Sequence, residues 1–119
     1  MLAIDEYNNI SIVQGNTATI DITPLDDDDK PVIMESGDKI IFSVKSIRKT
    51  LITKVLTADM QDDEGYLTLE ITPEDTLYLP PDKYYYDCLF IAANGEAYTF
   101  IGKAIFEISK AISRKDDVT

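Results

Sequence analysis

The chain has 119 residues, 45% of them hydrophobic, with 11 basic against 22 acidic side chains and no histidine, a formal net charge of −11. That length fits one domain with a core of its own and leaves no room for a second. A surface so negative repels phosphate backbones and anionic lipid head groups, so neither nucleic acid nor a membrane is expected as partner.

The period of the apolar residues is two, not 3.6, so strands are expected throughout. Asn9 to Val13 reads as a short strand, and Gln14-Gly15-Asn16 as the turn after it. Thr17 to Thr23 alternates with Ala18, Ile20 and Ile22 on one face. Pro24 to Gly37 is a long polar connection carrying Asp26 to Asp29, in which Ile33-Met34 can dock on an apolar patch. Lys39 to Ile47 puts Ile40, Phe42 and Val44 on one side. Leu51 to Ala58 continues as another strand, Gln61 to Gly65 is a hairpin turn, and Tyr66 to Ile71 alternates again. Thr72-Pro73-Glu74-Asp75 is a helix start, but Pro80-Pro81 follows too soon for more than one helical turn near 73–78. Tyr84 to Ala92 is a long strand with Tyr84, Tyr86 and Cys88 on one face and Tyr85 on the other. Asn94-Gly95 is a hairpin signal. Glu96 to Ile101 returns from it, Lys103 to Ser109 closes the domain, and Gly102 between them marks a bulge or bend. The expected fold is all-β, a single sandwich of about seven or eight antiparallel strands over residues 1–109, followed by a polar C-terminal tail at 110–119.

The parts needed for most catalytic centres are missing. Without histidine there is no Ser-His or Cys-His pair and no histidine-ligated zinc, and the five glycines are scattered through turns rather than gathered in a phosphate-binding loop. No enzyme activity, cofactor, metal or small-molecule substrate is expected. Cys88, the single cysteine, has no neighbouring base and reads as a small core residue. One cysteine permits no internal disulfide, which fits folding in a reducing cytoplasm. Met1 to Glu6 shows no secretory signal. Asp26 to Asp29 with Lys30 has carboxylates for a hard cation, but four adjacent side chains cannot all turn to one ion, and a solvated loop is the simpler reading. The same run matches an enteropeptidase recognition sequence, which its place inside the domain makes a coincidence. The residues singled out as a contact surface are Tyr85 and Tyr98, as protein-contact aromatics or as a stacking platform for sugar.

Several segments, taken in order, carry a resemblance. They are Val13-Gln14-Gly15-Asn16-Thr17, then Ser36 to Lys45, then Leu69-Glu70-Ile71-Thr72-Pro73-Glu74-Asp75-Thr76 with Leu79, then Tyr84-Tyr85-Tyr86-Asp87, then Asn94-Gly95. In this order the chain resembles small phage structural proteins related to the N-terminal domain of the phage baseplate upper protein. Position 16 is Asn where that pattern usually has an acidic residue, and Pro80-Pro81-Asp82 replaces its Gly-containing turn. The resemblance implies an Ig-like β-sandwich and no catalytic residues. It further implies a virion component of the tail or baseplate, made and folded in a host bacterial cytoplasm. Its partners would be other phage structural proteins, or copies of itself in a ring. The alternatives are an Ig-like capsid or surface decoration protein and a carbohydrate-binding module.

Overall fold

Alternation of β-branched and aromatic residues with polar ones produces eight strands among the described residues, which in this computed structural model are 2–4 and 8–112. They are β1 (Leu2–Ile4), β2 (Ile10–Val13), β3 (Ala18–Ile22), β4 (Lys39–Lys45), β5 (Thr50–Thr57), β6 (Leu67–Ile71), β7 (Asp82–Ile91) and β8 (Ala97–Ser109). A single helical turn, α1 (Pro73–Leu77), links β6 to β7, and a 3-10 turn at Ala58–Met60 follows β5. The strands form two sheets in a sandwich-like arrangement. One is six-stranded, in the order β1-β2-β8-β7-β4-β5, and the other pairs β3 with β6.

One core lies between the sheets. Ile40, Phe42 and Val44 of β4, Tyr84, Tyr86, Cys88 and Phe90 of β7, and Phe106 and Ile108 of β8 meet Ala18, Ile20 and Ile22 of β3 and Leu67, Leu69 and Ile71 of β6. Phe42 stands opposite Cys88 in the ladder, with its ring 5.1 Å from Tyr86 and 6.2 Å from Phe106. Tyr86 reaches the edge of this cluster, where its hydroxyl donates to the carbonyl of Asn8. The ring is thus buried without stranding its polar end.

The sequence expectation needs four corrections. The sheet is not antiparallel throughout: β2 runs parallel to β8, with Ile10 opposite Phe106 and Val13 opposite Ser109. These two strands lie at opposite ends of the sequence, so no hairpin dictates their direction. The stretch after Gly95 is one strand rather than two pieces. It bulges around Gly102, where Tyr86 pairs with Ala104 and Cys88 with Ile101, so that Gly102 and Lys103 together oppose Asp87. A strand at Leu2–Ile4, antiparallel to β2, was not expected. In the long connection Met34 is buried while Ile33 is 67% exposed, so only one of the pair docks. Of the expected tail at 110–119, residues 113–119 lie outside the described residues.

Three polar side chains hold the non-repetitive segments. Gln61 accepts from the Met34 amide at 2.8 Å and donates to the carbonyls of Val32 and Gly65, both at 3.0 Å, tying the long connection to the turn before β6. Gln14, after β2, donates to the carbonyls of Leu77 (3.2 Å), the last residue of α1, and Leu79 (2.8 Å) just past it. Asp75, inside α1, accepts from the Thr72 amide at 2.8 Å and pairs with Lys54 of β5 at 2.8 Å. Burial works to raise the Asp75 pKa, but the hydrogen bonds from Lys54 and Thr72 and the Lys54 charge outweigh it, leaving the pKa below its ordinary 3.8. A carboxylate with a lowered folded pKa stabilises the fold fully above its unfolded pKa and loses that contribution as pH falls through the folded value. The stability difference between wild type and Asp75→Asn is therefore expected to be constant above 3.8 and to close as pH drops below it. Urea titrations of both proteins at a series of pH values check this.

Candidate interaction surface

The two-stranded sheet covers the inner face of the six-stranded one and leaves the outer face open. Outward positions of neighbouring strands align in rows: Val55, Ile41 and Leu89 in one, then Thr53, Ser43 and Asp87, then Lys45, Tyr85 and Ile105. Val55 is 50% exposed, and Ile41, Leu89 and Ile105 are half-buried. The polar row Thr53, Ser43 and Asp87 separates these apolar residues from a group of cations around Tyr85. Lys103 is carried over Tyr85 by the bulge at Gly102, its Nζ 4.9 Å from the ring centroid, a cation–π contact. A hollow of about 260 Å³ lies beside the pair, lined also by Ser43, Lys45, Tyr86 and Asp87. Next to it a cleft of about 600 Å³ is bounded by the loop Ser46–Lys49 and by Asp82 to Tyr85. The loop is fixed by its own hydrogen bonds: the Ser46 amide donates to the Lys49 carbonyl at 3.0 Å, and Ser46 Oγ accepts from the amides of Arg48 and Lys49. At its tip Ile47 is 98% exposed.

Five of the chain's 11 basic residues, Lys45, Arg48, Lys49, Lys83 and Lys103, therefore meet on one end of this face. Sequence reading missed the cluster because the net charge hides it. The signal was there in the strand register, which sets Lys45 opposite Tyr85 and brings the turn after β4 beside the start of β7.

Tyr85 and Tyr98 are not brought together. Tyr85 lies on the outer face, 46% exposed. Tyr98 pairs with Phe90 on the inward side, its ring stacked on Phe90 at 5.2 Å and 26°. Burial, and then the charges of Asp26, Asp27 and Asp38, push the Tyr98 hydroxyl above its ordinary pKa. The two rings thus form no common platform for a sugar.

The acidic run 26–29 is a turn. The Asp26 amide donates to the Lys30 carbonyl and the Asp29 amide to the Asp26 carbonyl. The Asp26 carboxylate accepts from the amides of Asp28 (2.8 Å) and Lys30 (3.0 Å). The turn at Asp62 repeats this pattern, its carboxylate accepting from Glu64 and Tyr66, with Gly65 at φ +94° where the first turn has Asp29 at φ +59°. Among the described residues no group of three His, Cys, Asp or Glu side chains is placed to hold a metal ion. A left-handed residue with a Cβ carries strain that glycine avoids. Asp29→Gly removes about 1–2 kcal/mol of left-handed strain and adds about 0.5–1 kcal/mol of chain entropy cost, so a net gain of about 0.5–1 kcal/mol is expected, read as a higher urea midpoint with an unchanged slope.

Cys88 is fully buried, and burial, followed by the charge of Asp87, pushes its thiol up to about 12. The thiolate is the reactive species. Native protein at mildly alkaline pH is expected to leave a thiol reagent unreacted, and to consume one equivalent once unfolded in urea.

Compared with protein-family models, with curated proteins and with solved structures, the chain matches none.

Proposed function

We propose that the protein is a non-enzymatic structural component of a phage virion, an Ig-like module of the tail or baseplate that works by protein–protein contact. The observation that carries the contact role is the open outer face, where a cleft ringed by cations lies beside the exposed Tyr85 and a separate apolar row, Val55, Ile41 and Leu89, crosses the same sheet. Exposed tyrosine and arginine beside half-buried aliphatic residues match the composition of a protein interface, and the lysines around them favour an acidic partner.

The segments that carry the resemblance to phage structural proteins meet one another in the fold. Gln14 and Gly15 of the first bond to Leu77, Leu79 and Thr76 at or just beyond the third, and Tyr84 of the fourth donates to Pro80 between them.

An Ig-like assignment is supported by strand order. The run β8-β7-β4-β5 corresponds to G-F-C-C′ of a variable-type sandwich, and β3-β6 to the B and E strands. Tyr84, at the start of the F-equivalent strand and bonded back to a carbonyl four residues upstream, resembles the tyrosine corner of that architecture, standing four residues before Cys88 where that corner stands two before the strand's cysteine. Cys88 occupies the same strand without a disulfide partner.

The test is protein composition of phage particles induced from the host and purified by density gradient. Stoichiometric recovery in the particle band is the expected result, with a low copy number for a baseplate or tail-tip location. Expression of the protein without incorporation into intact particles overturns the reading.

A further inference from the structure

We infer that the cationic cleft beside Tyr85 receives the acidic tip Asp27–Asp29 of a second copy of this chain, so that copies join head to tail. The inference rests on the assembly reading and names the partner and surfaces of one contact.

Charge along the strands is polarised. At the Lys45 end of β4 lie the cleft and its cations. At the Lys39 end, Lys39 pairs with Thr57 and Ile91. The segments leading away from that end carry Glu35, Asp59, Asp63, Glu64 and Glu96, all exposed. The 26–29 turn lies at this same pole: the chain leaves β3 at Ile22, opposite Leu67 at the start of β6, and Gln61, just past the 3-10 turn after β5, holds Val32 and Met34 on the far side of the turn. Of the carboxylates nearby, Asp82 lines the cleft, Asp87 lines the adjoining hollow, and Glu107 stands opposite Lys83 in the ladder.

The shapes correspond as well. The Asp26 carboxylate is used inside its own turn, which leaves Asp27, Asp28 and Asp29 exposed on a projecting tip. The cleft opposite is concave, about 600 Å³, and lined by Lys45, Arg48, Lys49 and Lys83. Ile47 at its edge supplies apolar area that a purely ionic contact would lack. Because donor and acceptor surfaces are different and lie at opposite ends, the contact is heterologous. It propagates into a ring or a filament rather than closing as a two-fold dimer. The net charge of −11 opposes association at long range, but at about 0.15 M salt charges more than about 8 Å apart are screened, and the local pairing decides.

The experiment is sedimentation of the full chain over concentrations up to roughly 1 mM, which detects contacts as weak as about −4 kcal/mol. Two charge-reversed variants accompany it, one carrying Arg48→Glu and Lys83→Glu, the other Asp27→Lys and Asp28→Lys. All four positions are exposed and none of their side chains holds a turn, so both variants should fold, and circular dichroism checks that they do. Wild type is expected to grow in mass with concentration at about 0.15 M salt and to fall back toward monomer near 1 M. Each variant alone should associate at least about tenfold more weakly. Mixed, they should associate again, since the intact cleft of one meets the intact acidic tip of the other and the two reversed surfaces are themselves opposite in charge. Monomeric wild type at every concentration, association indifferent to both charge reversals, or a mixture that stays monomeric overturns the inference. Binding of polyglutamate by a wild type that stays monomeric would also overturn it, in favour of an acidic partner of another kind. A monomer that is nonetheless stoichiometric in particles overturns only the head-to-tail contact. Head-to-tail growth by a protein absent from particles overturns only the virion reading.

Discussion

Gln14→Leu is expected to cost about 2–4 kcal/mol of stability. The side chain is 6% exposed, and its amide donates to the carbonyls of Leu77, the last residue of α1, and Leu79, just past it, where no continuing helix supplies a donor. Leucine fills nearly the same volume but leaves both acceptors without that donor, so the penalty is desolvation rather than a cavity. The neighbouring amide adds a second strand to this clamp. Gly15 N–H donates to Thr76 Oγ1 at 2.8 Å, and Thr76 is fully buried. Thr76→Val keeps the shape and removes the acceptor, for an expected loss of about 1–3 kcal/mol. Because both contacts dock the same turn onto the same helical end, the double variant should lose less than the sum of the two. Urea unfolding of the four proteins in a double-mutant cycle gives each value, and a Gln14→Leu protein as stable as wild type would show that the clamp contributes nothing.

Much of the strand layout was legible because period two is a local property. In β4 the residues Ile40, Phe42 and Val44 could be assigned to the core without knowing what lay across it, and they are fully buried. The same holds for Leu67, Leu69 and Ile71 of β6, and for the split of the three tyrosines, where Tyr84 and Tyr86 turn inward and Tyr85 outward. Thr72-Pro73 announced its helical turn because cap and proline effects act over only a few residues.

What stayed hidden depends on residues far apart in sequence. The parallel pairing of β2 with β8 joins residues separated by almost the whole chain, and nothing near either strand encodes it. The acidic turns were recognisable as turns, but Asp26 as the acceptor for two amides of its own loop required the positive φ of Asp29. The cationic cleft is the plainest case. A composition of −11 speaks for the average surface, whereas Lys45, Lys83 and Lys103 become neighbours only through the register of β4, β7 and the bulged β8. Tyr98 shows the converse. Its aromatic character suggested exposure for contact, yet the pairing with Phe90 turns it toward the core. Contact residues were therefore less legible than core residues, since a core position is marked by its own strand and a surface patch by three or more strands at once.

Asp38→Ala is expected to cost about 3 kcal/mol, because one buried carboxylate there serves two amides from different parts of the chain. Asp38 is 8% exposed. Its Oδ1 accepts from Ala93 N–H and its Oδ2 from Glu35 N–H, each at 2.9 Å, fastening the turn before β4 to the loop between β7 and β8. Asn keeps one acceptor and turns an NH₂ group toward the other amide, so Asp38→Asn should fall between wild type and Ala. The adjacent Gly37 tests the same junction by crowding it. It has φ +95°, and a Cβ added there would come within 2.9 Å of the Ala93 Cβ. Gly95 provides the control, with φ +94° and nothing within 4 Å of an added Cβ. Gly95→Ala should therefore report the left-handed strain alone, about 1 kcal/mol, and Gly37→Ala that strain plus the clash, about 2–3 kcal/mol in all. The difference between the two glycine variants in urea midpoint measures how firmly Ala93 is held. If the two cost the same, the loop at Ala93 yields freely, and Asp38→Ala should then cost no more than a single exposed hydrogen bond.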